Sequence, residues 1–262
     1  MSLPSYAVDR TDLKARLTRG EVTFGTFLGA ASPVTAEICA AAGADWVLLD
    51  LEHGSGGEDQ ARGVVPAAAS YGVTTIVRAE STARVRAGRL LDLGALGVMF
   101  PRIETPDDAA AAVRHLRYPP LGDRGAATYN RMCRFGLDRE ALGRTADEII
   151  GIVQIETLGA LETVEEIAAI DGVDVLFVGP LDLSYALGAP GDLTTPAFQA
   201  ALQRVLHAAQ GAGKAAGYLV PDGAIAARMA QEGWQFLAVG SDTTLLAAAV
   251  SGHLRTAREA HG

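Results

Sequence analysis

A chain of 262 residues, 49% hydrophobic and 20% charged, carries enough apolar side chain for one large core and is not a disordered polymer. Its formal charge of −9 and pI near 5.0 argue against nucleic-acid and anionic-membrane surfaces, which select clustered Lys and Arg. Small molecules are the expected partners.

Residues 4–20 read as an N-terminal helix laid across the bottom of the fold. The opening residues have no signal-peptide character, and no apolar run approaches the roughly 18 residues a membrane span needs, so a cytoplasmic protein is expected. From residue 22 onward, short apolar runs alternate with helical patterns. Strands are predicted over residues 22–28, 46–50, 74–79, 97–101, 152–156, 175–179, 215–220 and 236–240. Between them, Ser32-Pro33, Thr105-Pro106 and Thr195-Pro196 open helices, because the hydroxyl caps free N–H groups and Pro loses no hydrogen bond in the first turn. Gly43, Gly172 and Gly233 close them.

Strands alternating with helices predict a parallel sheet, and eight strands close into a (β/α)8 TIM barrel, here one domain over residues 1–262. An open doubly wound sheet is the structural alternative. No GxGxxG or GxxxxGK[ST] pattern follows any strand, so neither a dinucleotide nor a P-loop phosphate site is signalled. Residues 118–138 lack a period and contain Pro119, Pro120, Gly122, Gly125 and Gly136. Loops of that length serve function or assembly. Cys39 and Cys133 have no CxxC or His spacing and read as two reduced thiols.

A barrel site is built where strands end. The second predicted strand is almost uninterrupted apolar sequence and then delivers Asp50, Glu52 and His53. The third ends in Arg78, the fifth in Gln154 and Glu156, the sixth in Gly179-Pro180-Leu181-Asp182 and the eighth in Ser241-Asp242. Glu156 and Asp182 end consecutive strands, about 4.8 Å apart, and as hard oxygen ligands they suit Mg2+ or Mn2+ better than structural zinc. The bland alternatives are a helix N-cap at Asp182 and a salt bridge at Glu156. Arg78 offers planar donors to a carboxylate or a developing enolate oxygen, or else an ion pair with Asp50 or Glu52. His53 is a candidate general base, or a plain loop residue. The only lysines, Lys14 and Lys214, fall at the barrel's opposite face, so Schiff-base chemistry is not expected. Carbanion chemistry here needs a metal.

Taken together, Gly25-Thr26-Phe27-Leu28-Gly29, Asp50-Leu51-Glu52-His53, Val77-Arg78, Gln154-Ile155-Glu156-Thr157, Gly179-Pro180-Leu181-Asp182-Leu183-Ser184 and Val239-Gly240-Ser241-Asp242 resemble the HpcH/HpaI aldolase family. These are metal-dependent class II pyruvate aldolases of the 4-hydroxy-2-oxoheptane-1,7-dioate aldolase type. The likeness runs in unbroken order from about residue 20 to 250. It implies that Glu156 and Asp182 ligate a divalent metal (Mg2+, Mn2+ or Co2+), that Arg78 stabilises the enolate, and that His53 paired with Asp92 is the base. It further implies that Gln154 stands behind the metal and that the N–H groups of Leu181 and Asp182 hold the pyruvate carboxylate. Phe27, Leu181 and Leu219 would line the pocket, with Asp50 and Glu52 in support. Phe27 and Leu181 stand where relatives often have Trp and Ala, which bears on aldehyde specificity.

The reaction implied is reversible cleavage of 4-hydroxy-2-oxo acids to pyruvate, or hydroxypyruvate, and an aldehyde through a metal-stabilised enolate. The assembly implied is a homohexamer, a trimer of dimers, in which residues 118–138 reach a neighbouring site and Arg131 contacts the aldehyde's tail. Two other readings are a malyl- or citryl-CoA-type lyase, with a similar barrel and acidic pair, and a non-catalytic carboxylic-acid-binding barrel, which has no use for a His53–Asp92 pair.

Overall fold

The computed structural model describes residues 13–261. Eight parallel strands close into a barrel in sequence order: β1 (Thr23–Leu28), β2 (Trp46–Asp50), β3 (Thr74–Arg78), β4 (Gly97–Phe100), β5 (Ile150–Ile155), β6 (Val175–Val178), β7 (Ala215–Val220) and β8 (Phe236–Ser241). This is the predicted (β/α)8 TIM barrel. The strands fall within one residue of where the apolar runs place them, except that β5 starts two residues early, at Ile150, and Glu156 lies just past its end.

Strand side chains alternate between faces, so each strand separates two cores. Trp46, Leu48, Ile76, Met99, Ile150, Ile152, Val175, Phe177 and Phe236 fill the barrel interior. Val47, Leu49, Val77, Val153, Ile155, Leu176 and Val178 face the helices. Trp46 stacks on Phe236 at 3.9 Å between ring centroids, and Gly25 makes this fit possible. A Cβ on Gly25 would sit 2.2 Å from the Trp46 ring. Leu13 and Leu17 of the short helix Leu13–Thr18 join the interior cluster and plug the barrel bottom, as expected of an N-terminal helix; residues 4–12 of that prediction lie outside the described residues.

The helix signals act as read. Ser32, Thr105 and Thr195 each accept a hydrogen bond from a first-turn N–H, and Gly43, Gly172 and Gly233 adopt positive φ. Lys14 is anchored to Asp174 at 3.0 Å and to the Ile149 carbonyl at 2.7 Å, away from the mouth. Cys39 and Cys133 are free thiols. No helix among the described residues is long and apolar enough to cross a membrane.

The seam between β1 and β8 is stitched by side chains. Thr26 Oγ1 donates to the carbonyls of Val239 and Gly240. Asp242 is 8% exposed and accepts from the N–H groups of Gly29 and Ala30 and from Thr35 Oγ1. Asp242 therefore closes the barrel rim, although by position it resembles a site carboxylate. The following helix, Asp242–His261, runs 20 residues with Asp242 its one buried residue.

Candidate active site

The inward alternation that fills the barrel with Trp46 and Leu48 puts Asp50 next on the same face. The same count along β3 runs through Ile76 to Arg78, along β5 through Ile150 and Ile152 to Gln154 and then Glu156, and along β6 through Val175 and Phe177 to Gly179. The register pairs Asp50 with Arg78. Polar residues thus top an apolar column at the C-terminal mouth, the catalytic end of such barrels.

Arg78 is 9% exposed and every arm of its fork is engaged. Nε donates to Asp50 Oδ1 at 2.9 Å and Nη2 to Asp50 Oδ2 at 2.7 Å. Nη1 lies 3.1 Å from Glu52 Oε2 and 3.4 Å from Gln154 Oε1. The guanidinium also rests over the Phe27 ring, 5.2 Å from its centroid. Burial alone would raise the Asp50 carboxyl; the Arg78 hydrogen bonds and charge outweigh it and hold Asp50 below the usual carboxylate range. The ion pair and a catalytic role for Arg78 are therefore compatible. Asp50 orients the fork, and Nη1 is the arm left to Glu52 and Gln154.

Glu156 is 2% exposed. Its Oε1 accepts from the Arg102 backbone N–H at 2.7 Å and its Oε2 from Gln154 Nε2 at 2.9 Å. Burial, only partly offset by the Arg102 N–H and reinforced by the charges of Asp182 and Glu52, holds the Glu156 carboxyl above its ordinary range. Burial likewise raises Glu52, with Arg78 and His53 acting against it. Asp182 sits in the first turn of helix Pro180–Ala186, its side chain 46% exposed.

This donor set fits a hard divalent cation. Three carboxylates repel one another around Glu156, a condition that a cation relieves. Gly179 leaves room for the ligand: a Cβ there would lie 2.1 Å from Glu156 Oε2. Among the described residues no cluster of three His, Cys, Asp or Glu side chains could hold a metal, so water and substrate oxygens would complete the shell, the habit of Mg2+-type ions.

Of the pocket-lining residues, Phe27 is 5% exposed and floors the site, Leu219 packs against the interior cluster, and Leu181 is 59% exposed at the rim. His53 is on the loop after β2 with its side chain 65% exposed, Nε2 standing 3.8 Å from Glu52 Oε2.

The expected His53–Asp92 pair is not formed within the chain. Asp92 ends helix Arg84–Asp92, just before β4 and so at the barrel end opposite His53. Its Oδ1 accepts from Arg124 Nη2 at 2.7 Å. Arg131 is on that side too: its N–H donates to the Asp92 carbonyl and its guanidinium covers the Phe135 ring. Both sit where residues 118–138 wrap helix Arg84–Asp92, and neither reaches this chain's own mouth. Arg102, after β4, is a site residue that the strand-end reading passed over. The Pro101-Arg102-Ile103-Glu104 tail of an apolar strand is the signal that would have found it.

The family described as HpcH/HpaI aldolase/citrate lyase matches residues 23–249. The hydroxypyruvate/pyruvate aldolase of Sagittula stellata is 39% identical over 233 residues, covering 89% of this chain and 92% of that protein. The 2-keto-3-deoxy-L-rhamnonate aldolase of Klebsiella pneumoniae is 36% identical over 242 residues, 92% of this chain and 91% of its own. The crystal structure of an HpcH/HpaI aldolase/citrate lyase family protein from Burkholderia cenocepacia superposes with a TM-score of 0.91 at 38% identity, covering 95% of this chain and 99% of that one. The match takes in all eight strands and the loops that bear the polar column, and the chain belongs to the HpcH/HpaI aldolase/citrate lyase family.

Proposed function

We propose that the protein is a class II aldolase that reversibly cleaves 4-hydroxy-2-oxo acids to pyruvate, or hydroxypyruvate, and an aldehyde. The observation that carries this reading is the buried, fully engaged Arg78 beside the Glu156–Asp182 pair, in a barrel whose only lysines lie away from the mouth. Two aldolase relatives with 36–39% identity support the same chemistry.

Glu156 and Asp182 would hold the divalent cation, with Gln154 fixing Glu156. Bound there, Mg2+, Mn2+ or Co2+ supplies Lewis-acid polarisation of the 2-oxo acid's oxygens. The first-turn N–H groups of Leu181 and Asp182 have no partner of their own within a helix and would donate to the substrate carboxylate. In the synthetic direction His53 removes a proton from C3, and the electron pair moves onto the 2-oxo oxygen, which faces Arg78 Nη1. C3 then adds to the aldehyde carbon as the 2-oxo C=O re-forms, and the C4 alkoxide takes up a proton from the protonated base or from water. Cleavage reverses the order. Asp50 and Glu52 keep the Arg78 fork aimed, while Phe27, Leu181 and Leu219 shape the space around the reacting carbons.

The assembly proposed is a homohexamer, a trimer of dimers. Leu246, Val250 and Leu254 stand exposed at four-residue spacing along one face of helix Asp242–His261, an apolar stripe suited to a neighbouring copy. An Asp92 partner for His53 would have to come from such a copy. A mass near that of one 27.2 kDa chain by light scattering would contradict the hexamer.

The test is exchange of pyruvate methyl protons into D2O with Mn2+ or Mg2+, with and without EDTA. Exchange should require the metal and fall about 10²–10⁴-fold in His53→Ala, the usual contribution of a general base. Exchange that survives EDTA, or none with any metal, overturns the proposal. Undiminished exchange in His53→Ala removes His53 from it.

A further inference from the structure

One residue serves both members of the Glu156–Asp182 pair, bonded to the first and standing near the second. Arg102 follows β4 with φ +56°, a left-handed conformation costly for a side chain with a Cβ and maintained only where the surroundings enforce it. They do so here. Thr157 Oγ1 donates to the Ile103 carbonyl at 2.8 Å, and Gly159 packs so closely on the Glu104 carbonyl that a Cβ would lie 2.5 Å from it. In this conformation the Arg102 N–H reaches Glu156 Oε1 at 2.7 Å. The side chain turns the other way: Nη1 stands 3.8 Å from Asp182 Oδ1 and Nη2 3.9 Å from Glu104 Oε1. Both separations exceed hydrogen-bond length, and the side chain is 60% exposed. Arg78 is locked to Asp50, whereas Arg102 is a cation held loosely over a carboxylate.

We propose that Arg102 is a positioning residue for the metal pair: its main chain fixes Glu156, and its guanidinium is a resident counter-cation that occupies Asp182 until a divalent cation displaces it toward Glu104. The inference rests on the aldolase reading, in which Glu156 and Asp182 are the ligands. The two halves of the residue separate experimentally. A substitution that keeps the backbone N–H and removes the charge leaves Glu156 held but takes away the competitor at Asp182. It also takes away the one guanidinium beside Asp182, leaving Arg78, which is held by Asp50 and Glu52, as the nearby cation that offsets the repulsion in the metal-free protein.

Mn2+ binding is measured by titration calorimetry, and melting temperature with and without Mn2+, on wild type, Arg102→Met, Arg102→Lys and Arg102→Gly. Arg102→Met should bind Mn2+ about two- to five-fold more tightly, the scale of a largely exposed ion pair. Its metal-free form should melt earlier than wild type, so that Mn2+ raises its melting temperature by more. Arg102→Lys, which keeps the charge, should restore wild-type affinity. Arg102→Gly, free of backbone strain and still carrying the N–H, should tighten binding as Met does. Equal or weaker Mn2+ affinity in both Arg102→Met and Arg102→Gly, beside a wild type that binds normally, overturns this inference alone. A wild type that binds no Mn2+, with no gain in either variant, overturns it together with the aldolase reading.

Discussion

Replacing Arg78 by Lys separates charge from geometry. The guanidinium makes a two-pronged contact with Asp50 at 2.9 and 2.7 Å and extends a third arm to Glu52 and Gln154. A Lys ammonium is one point on a flexible stem and meets only one Asp50 oxygen. At least one charge-assisted hydrogen bond is lost at a site 5% exposed on the Asp50 side, which costs about 1.5–3 kcal/mol of stability. At roughly 2–4 °C per kcal/mol for a chain of this size, the melting temperature should fall by about 3–12 °C. On the proposed mechanism the catalytic loss is larger than the thermal one, because the arm assigned to the developing enolate is gone. Removal of one such preorganised donor lowers the rate about 10²–10³-fold. Thermal unfolding and pyruvate proton exchange with saturating Mn2+ measure the two effects on one sample. A variant that melts within a degree of wild type and exchanges protons within three-fold of it would refute both the structural and the catalytic assignment of Arg78.

Two further perturbations probe different parts of the molecule. Gly179→Ala places a methyl 2.1 Å from Glu156 Oε2 at a backbone φ of −85° that alanine tolerates, so the variant should fold yet bind Mn2+ at least about ten-fold more weakly, since ligand orientation governs affinity on that scale; unchanged calorimetric affinity would mean that Glu156 is not a ligand. Tyr218 is 6% exposed and burial pushes its phenol up to about 12, so the unfolded chain ionises first, near pH 10, and stability drains away as pH rises from there through 12. Tyr218→Phe lacks this loss and should gain about 1 kcal/mol on wild type in urea unfolding at pH 11 relative to pH 8; parallel pH profiles would contradict the buried phenol.

The polar column of the mouth was legible because period-two alternation is a local rule. Once Trp46 and Leu48 are assigned inward, Asp50 has nowhere else to point, and the same count carries Arg78, Gln154 and Glu156. The strands and their caps follow from equally local signals, such as Ser32 and Thr105. What escaped depends on contacts made late in space. The side-chain direction of Arg102 follows from a left-handed backbone enforced by Thr157 and Gly159, residues 55 and 57 positions downstream. Asp92 is near no site in its own chain because Arg124, on a connection that wraps helix Arg84–Asp92, claims it first. Asp242 has the position of a ligand, but the N–H groups of Gly29 and Ala30 take its carboxylate, and no reading of residues 236–242 alone contains that partner.

The Asp242 stitch also bears on the order in which the molecule is made. Strands are added around the ring in the order of synthesis, so the column from Asp50 to Asp182 emerges well before β8. The ring shuts only when β8 finds β1 across a separation of 213 residues, a non-local contact of the kind that slows folding. Until then Trp46 has no Phe236 to stack on, and the interior that shields Arg78 and Glu156 from water stands open along one side. A nascent chain therefore carries its acidic groups before it can desolvate them, and the cation binding proposed for the mouth would become available only at the last step of closure.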